Sequence, residues 1–207
     1  MGFRKMNPKL TPEFWLKGWL SDKHIKWRTQ CWSIIDNYLD KPPQSILDIG
    51  CGTAVESRLF YKKYNSDLWL LDGNNKNNND QQTKTVGYNN NVKKMAYYTN
   101  HEDLKKIFDA DNIKNYNLID ADNITISEDK KFDLICSYSS CGIHYPLQTY
   151  KSLILRHSHD HTVLIFDLRN RTLPILAKDI QIINILQNPA PADPMNSAKV
   201  HFKFKND

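Results

Sequence analysis

The residues best suited to chemistry lie where an apolar segment gives way to Asp48-Ile49-Gly50-Cys51-Gly52. Two glycines two positions apart let the backbone turn tightly and approach a ligand, because neither carries a Cβ atom. The acid before them suits a cationic or hydroxyl-rich ligand better than a pyrophosphate. Val55 stands where a dinucleotide fingerprint needs its third glycine, and no Gly-Lys-Ser/Thr follows, so NAD-type and P-loop sites are both disfavoured.

Three more acidic segments accompany the next apolar segments of the chain. Leu70-Leu71-Asp72 ends the second segment, Asp120-Ala121-Asp122-Asn123-Ile124 follows the third, and Phe132-Asp133-Leu134-Ile135 begins the fourth. In this order, over residues 45–168, the segments resemble the motifs of the class I S-adenosylmethionine (SAM)-dependent methyltransferases. Ala54 replaces the third glycine of the family's first motif, which is a mild departure.

The resemblance implies SAM as the cofactor and methyl transfer to an O or N nucleophile as the reaction. In the family, the acid that matches Asp72 accepts hydrogen bonds from the ribose, and the segment that matches Asp120–Asn123 reads the adenine edge, with Asp120 or Asp122 as the contact. The residues expected to bind the cofactor are Asp48, Gly50, Cys51, Gly52, Asp72, Gly73, Asp120, Ala121, Asp122 and Ser137. Neither an Asp/Asn-Pro-Pro-Tyr/Phe motif nor a Pro-Cys dipeptide occurs, which disfavours the amino-methylating DNA enzymes and the cytosine-C5 enzymes.

A candidate catalytic residue follows the fourth predicted strand, within Ser137–Tyr145. His144 resembles the His that many family members carry near the transferring methyl group, and an imidazole can take a proton from the acceptor near neutral pH. A packing or cofactor-contacting role is the alternative for His144. Tyr138 and Tyr145 are predicted to shape the acceptor pocket, with simple packing as their alternative.

Basic charge is concentrated at the start of the chain. Residues 1–31 hold seven bases and two acids, which gives the same net charge of +5 as the whole chain. Trp15 and Trp19 lie one helical turn apart, so they share one face of a predicted helix. Either these helices dock through their aromatic side chains with Lys and Arg in water, or they have a role at the acceptor site. In the second case they cap the acceptor pocket or contact an acidic or phosphate-bearing acceptor such as a nucleic acid or a phosphorylated metabolite. Under the second hypothesis, Trp15 and Trp19 contact the acceptor.

No metal site is expected. The four cysteines form no Cys-x-x-Cys pair, and their scattered positions suit a reducing cytosol. His157, His159 and His161 precede the fifth predicted strand, at the edge of the sheet opposite the SAM site. We predict that these three histidines form a surface cluster.

Apolar segments that resemble strands alternate with helical patterns, which is typical of a parallel sheet covered on both faces. The expected fold is an α/β, Rossmann-like three-layer αβα sandwich with a mostly parallel twisted sheet. A basic, Trp-rich helical extension is predicted over residues 1–43 and the SAM-binding domain over residues 44–207, with an Asn-rich loop at 74–91. Strands are predicted over residues 45–49, 68–71, 116–119, 132–137, 162–166 and 200–204, and helices over residues 11–20, 21–39, 55–64, 101–110, 147–155 and 172–186.

The C-terminal part of the predicted sheet is short. One clear strand, Val200–Phe204, follows the fifth, whereas the family usually places a helix and two antiparallel strands there. This pattern predicts a late edge strand, and an edge that is truncated or completed by a partner chain in a homo-oligomer. It also motivates an alternative function, a non-catalytic methyltransferase-like module for binding or regulation.

Composition places the chain among ordinary globular proteins, with 40% hydrophobic and 25% charged residues. Apolar runs such as Val163–Phe166 are far shorter than the roughly 20 residues that span a bilayer. The first residues lack the apolar stretch of a secretory signal. No membrane association is therefore predicted, and the expected location is the cytoplasm.

Overall fold

The computed structural model describes residues 12–74, 100–188 and 196–205. Its strands are β1 (Ser45–Ile49), β2 (Asp67–Asp72), β3 (Tyr116–Asp120), β4 (Leu134–Ser137), β5 (Val163–Arg169), β6 (Ile180–Gln187) and β7 (Ser197–Phe204). Its helices are α1 (Pro12–Trp19), α2 (Asp22–Tyr38), α3 (Val55–Tyr64), α4 (His101–Ala110), α5 (Lys151–His157) and α6 (Leu173–Leu176). The Asn-rich loop predicted over 74–91 lies outside the described residues beyond Asn74.

Within this part of the chain, seven strands form one sheet in the order β3-β2-β1-β4-β5-β7-β6. Strands β1 to β5 are parallel, and β7 runs antiparallel between β5 and β6. Asp72 at the end of β2 lies opposite Asp120 at the end of β3. The parallel register therefore gathers the predicted acids at one edge of the sheet, which is where open α/β sheets bind their ligands.

Helices cover both faces of the sheet. Ile35 of α2, Phe60 of α3 and Phe108 of α4 pack on one face, in a cluster with residues of β1, β2 and β4. Ile154 of α5 and Leu176 of α6 pack on the other face, against β1, β4, β5 and β7. These five side chains are almost completely buried, so removal of apolar surface from water stabilises both layers. The predicted three-layer αβα sandwich is confirmed.

Short-range sequence signals set the ends of the helices. Ser21 precedes α2, and its Oγ accepts a hydrogen bond from the His24 amide at 3.4 Å. Asn100 precedes α4, and its Oδ1 accepts a hydrogen bond from the Asp103 amide at 2.8 Å. Both contacts satisfy an amide that the first helical turn leaves without a partner. The prolines of residues 41–43 prevent α2 from continuing into β1.

The C-terminal part of the sheet differs from the prediction. The helix predicted over 172–186 is wrong, because only Leu173–Leu176 is α-helical and Ile180–Gln187 forms β6. Four isoleucines in that segment favour an extended backbone, and pairing with β7 supplies the partners that its amides need. The prediction that residues 200–204 form an edge strand is also wrong, since β7 lies inside the sheet and β6 forms its edge.

This arrangement supplies the two antiparallel strands that the resemblance implied. A missing strand was the motive for the alternative of a non-catalytic module, and that motive no longer holds.

The predicted boundary at residue 43 stays a prediction. No helix in the described ranges is long and apolar enough to cross a membrane.

Candidate cofactor and acceptor site

The glycine loop between β1 and α3 has three alternate residues in the left-handed backbone region. Gly50, Gly52 and Ala54 have φ angles of 70°, 55° and 50°. A Cβ atom on Gly50 would lie 1.9 Å from the Ser140 Oγ, so only glycine fits there. A Cβ atom on Gly52 would meet nothing within 4 Å, so this part of the loop faces open space. The first glycine packs the loop, and the second leaves room for a ligand.

Asp48 lies beneath the loop with a side chain that is only half satisfied. The residue is 2% exposed, and its Oδ2 accepts a hydrogen bond from the Ser57 Oγ at 2.6 Å. Its Oδ1 is buried and has no hydrogen-bond partner among the described residues. Burial raises the pKa of Asp48 to about 7, although the Ser57 hydrogen bond opposes the shift. A buried carboxylate oxygen without a donor indicates a ligand that brings one.

Asp72 ties the glycine loop to the end of β2. The Gly52 amide donates to its Oδ2 and the Gly73 amide to its Oδ1, both at 2.7 Å. Burial raises the pKa of Asp72 to about 6, against the effect of these two hydrogen bonds. The Cys51 thiol lies 4.0 Å from the Asp72 Oδ2. Four of the residues predicted to bind the cofactor, Cys51, Gly52, Asp72 and Gly73, therefore lie together.

The segment after β3 lies beside Asp72. The Ala121 amide donates to the Asp72 carbonyl at 2.9 Å, and the Asp122 amide donates to the Asp120 Oδ1 at 3.0 Å. Asp120 is partly buried and Asp122 is exposed. Both acids lie at this edge of the sheet, and the prediction that one of them contacts adenine stays a prediction.

The segment after β4 closes over the glycine loop. The Tyr145 hydroxyl lies 2.9 Å from the Ser140 Oγ, and both groups occupy the space that a Cβ atom on Gly50 would need. His144 is half-buried, and burial together with the Arg169 charge lowers the pKa of its imidazole. The ring is therefore neutral near pH 7 and able to accept a proton.

Solved structures with a similar architecture include three methyltransferases. The ribosomal protein L11 methylase from Lactobacillus delbrueckii subsp. bulgaricus has a TM-score of 0.55 at 16% identity, over 86% of this chain and 78% of that one. A methyltransferase from Pyrococcus furiosus has a TM-score of 0.56 at 12% identity, over 86% and 83%. The precorrin-6y C5,15-methyltransferase from Geobacter metallireducens GS-15 has a TM-score of 0.50 at 11% identity, over 97% and 94%.

The chain has the class I methyltransferase fold. At the level of sequence, no family model matches it and no curated protein is significantly similar to it. The identities of the structural neighbours are low, so this likeness concerns the fold alone.

Two residues predicted to contact ligands are buried by the methyltransferase fold itself. Ser137 is fully buried, and its Oγ donates to the Ile49 carbonyl at 2.6 Å and accepts from the Cys141 amide at 2.8 Å. It fixes the segment after β4 to the end of β1, and it has no surface for a ligand. Tyr138 is 5% exposed and its ring packs in the core. Its position therefore fits the alternative hypothesis of simple packing.

Sequence reasoning missed a buried ionic network beside the glycine loop of this methyltransferase fold. Arg28 of α2 contacts the Glu56 Oε2 through its Nη2 at 2.7 Å and its Nε at 2.9 Å. Asp167 of β5 contacts the Lys199 Nζ at 2.5 Å and accepts from the Ser139 amide at 2.9 Å. The expectation that the Lys and Arg of the N-terminal helices lie in water is wrong for Arg28, which is 8% exposed. Its position in a basic helix gave no signal of this.

Sequence reasoning also missed His101, because nothing in the sequence indicates that it lies near the candidate site. It begins α4, beside the adenine edge that the resemblance implies, and burial lowers its pKa although the Asp120 charge opposes this. Its Nε2 is buried without a hydrogen-bond partner in the described ranges. The side chain of Trp15 lies outside the described part of the structure, and Trp19 is partly buried.

The three histidines before β5 do not form the predicted surface cluster. His157 is 1% exposed, and its Nδ1 lies 2.8 Å from the Lys130 carbonyl. His159 lies 3.3 Å from the Asp133 Oδ1 and stays at the surface with His161. Across the residues with described positions, no group of three or more His, Cys, Asp or Glu side chains could hold a metal ion.

Proposed function

We propose that the protein is a methyltransferase that uses SAM and moves its methyl group to an O or N nucleophile. The observation that carries the proposal is the arrangement around the glycine loop. Gly52 faces open space, Asp72 holds the loop from the neighbouring strand, and Asp48 keeps one buried oxygen without a partner. The class I methyltransferase fold supports the same conclusion.

The residues present fit SAM as the cofactor. SAM brings an ammonium group, ribose hydroxyls and a methyl group on a positively charged sulfur. The free Asp48 Oδ1 suits the ammonium group, because a buried carboxylate oxygen needs a charged or polar donor. Each oxygen of Asp72 accepts one backbone hydrogen bond and keeps a lone pair for a ribose hydroxyl.

The chain's own residues would promote the reaction mainly by placing the acceptor. Tyr145 and Ser140 cover the loop next to Gly50 and restrict the approach of water from that side. Holding the nucleophile in line with the methyl group supplies most of the rate enhancement in such a reaction. The neutral imidazole of His144 would accept the proton that the acceptor oxygen or nitrogen releases.

The acceptor belongs to the same proposal, as an acidic or phosphate-bearing molecule that meets the basic N-terminal helices. A cytoplasmic location is proposed as well, because all four cysteines are unpaired and buried, as suits a reducing compartment. A homo-oligomer through the C-terminal edge stays a proposal. It is supported by the exposed apolar side chains of Ile182, Ile183 and Ile185 on β6.

Calorimetric titration with SAM and with S-adenosylhomocysteine tests the cofactor directly. We expect micromolar binding by the wild type and a loss of about 1–3 kcal/mol in the Asp72→Ala variant, as two hydroxyl hydrogen bonds would give. Asp160→Ala is the matched control, because this exposed acid lies at the opposite edge of the sheet. A folded wild type that binds neither compound would refute the proposal.

A further inference from the structure

The first half of α2 borders the candidate methyl-transfer site. Arg28 donates from its Nη1 to the Ser139 Oγ at 3.4 Å, and the next residue, Ser140, packs against Gly50 of the glycine loop. This part of the helix therefore lies at the carboxyl ends of the strands, on the side where an acceptor must enter.

An exposed aromatic ring stands at this rim. Trp27 is 45% exposed, and the Arg28 Cζ lies 5.6 Å from its ring centroid and 5.6 Å from that of Tyr138. The His24 ring meets Trp27 edge-on at 5.4 Å. Burial lowers the pKa of His24 to about 4, so this neighbour is uncharged at neutral pH. The ring is held in place from inside the protein while nearly half of its surface faces solvent.

Two exposed lysines precede this ring in α2. Lys23 and Lys26 are exposed and lie four residues and one residue before Trp27, and Lys17 of α1 is exposed as well. None of the three forms an ion pair with another described residue. We call Trp27 with Lys23 and Lys26 the Trp27 surface.

We propose that the Trp27 surface binds the methyl acceptor and that this acceptor is a single-stranded nucleic acid. The inference rests on the proposed methyltransferase function. A base would stack on Trp27, and successive phosphates would lie near Lys23 and Lys26, which precede the ring in the same helix. A chain with repeated negative charges and flat bases matches both the lysines and the Trp27 ring. A small phosphorylated molecule would use only the lysines.

Fluorescence anisotropy with labelled single-stranded oligonucleotides of about a dozen nucleotides tests this surface. Trp27→Ala is expected to weaken binding roughly tenfold or more, and Trp27→Phe to restore most of the affinity, since a smaller ring still stacks. The double variant Lys23→Gln/Lys26→Gln is expected to lower the slope of log K against log salt by about 1–2. Lys41→Gln/Lys178→Gln is the matched control, because both lysines are exposed and lie elsewhere.

Several outcomes would overturn the assignment. Equal binding by the wild type and Trp27→Ala would show that no base stacks on Trp27. Preference for anionic phosphatidylserine vesicles over oligonucleotides would make the surface a membrane contact instead. SAM titration of the wild type is run separately. Oligonucleotide binding without SAM binding would thus refute the proposed function and leave the Trp27 surface as a nucleic-acid contact without methyl transfer. SAM binding without oligonucleotide binding would refute this inference alone.

Discussion

The Gly52 amide donates a hydrogen bond of 2.7 Å to the Asp72 Oδ2, so the acid that ends β2 fixes the position of the loop that follows β1. The same carboxylate accepts from the Gly73 amide. One side chain therefore sets both the shape of the open loop and the direction of the two Asp72 carboxylate oxygens. A substitution in the loop or at Asp72 is therefore predicted to disturb the position of both.

Asp72→Asn should destabilise the fold although it preserves shape. The carboxamide has one accepting oxygen, so its NH₂ group must face the Gly52 amide or the Gly73 amide, two donors against each other. We expect a loss of about 1–3 kcal/mol in the free energy of unfolding, measured by urea denaturation. Unchanged stability, with Asp160→Asn as the control, would show that these two hydrogen bonds contribute little.

Alanine at the two loop glycines should separate folding from cofactor binding. Gly50→Ala puts a Cβ atom 1.9 Å from the Ser140 Oγ, and we expect it to destabilise the protein strongly. Gly52→Ala meets no atom within 4 Å, so it should cost only about 1–2 kcal/mol for the left-handed backbone. Its Cβ atom fills the open space, however, and SAM affinity should fall. Thermal melting and calorimetry on both variants check this, and equal effects on both properties would contradict it.

Stability should fall as the pH rises, because of Asp48. Burial raises its pKa to about 7 in the folded protein, above the value of 3.8 of an unfolded chain. Between those values the native state binds more protons than the unfolded state, so stability is lost as the pH rises from about 4 through about 7. The expected loss is on the order of 3 kcal/mol in urea denaturation. Asp48→Asn should make this profile shallower without flattening it, because the pKa of Asp72 is also raised, to about 6. An unaltered slope in that variant would assign the dependence to other groups.

SAM affinity should follow the opposite trend with pH. The ionised form of Asp48 is the one that attracts an ammonium group, so binding should strengthen toward pH 8 and release protons. Calorimetry in buffers of different ionisation enthalpy measures that release. In Asp48→Asn the release should disappear, whereas in Asp160→Asn it should remain.

The ion pair between Arg28 and Glu56 should show strong coupling. Both side chains are buried, at 8% and 1% exposure, so loss of one partner leaves the other charge without compensation. Arg28→Met and Glu56→Leu should each destabilise the protein by about 3–5 kcal/mol. The double variant should lose much less than the sum, in urea denaturation. Simple additivity would mean that the two charges do not depend on each other.

The sequence predicts best what depends on neighbouring residues. Both β1 and α3 begin and end at the predicted residues, because each pattern is short and strongly periodic. Asp48 and Asp72 lie at the same edge of the sheet as expected, since the carboxyl ends of neighbouring parallel strands share one edge. Their roles toward SAM stay predictions until binding is measured.

Contacts between distant residues explain the errors. The isoleucines of β6 fit either a helix or a strand, and pairing with β7 decides between them. Arg28 resembles a solvated base until Glu56, 28 residues later, comes to lie beside it. Ser137 resembles a ligand contact, but its hydroxyl is used by Ile49 and Cys141.

The place of β7 between β5 and β6 has a consequence for biosynthesis. The ribosome makes β6 before β7, yet among the described strands β6 hydrogen-bonds only to β7. Until Ser197–Phe204 has emerged, β5 and β6 both present unpaired backbone edges, which are prone to join other chains. Co-translational folding can therefore complete strands β1 to β5 first, and the nascent chain needs protection from aggregation until β7 inserts.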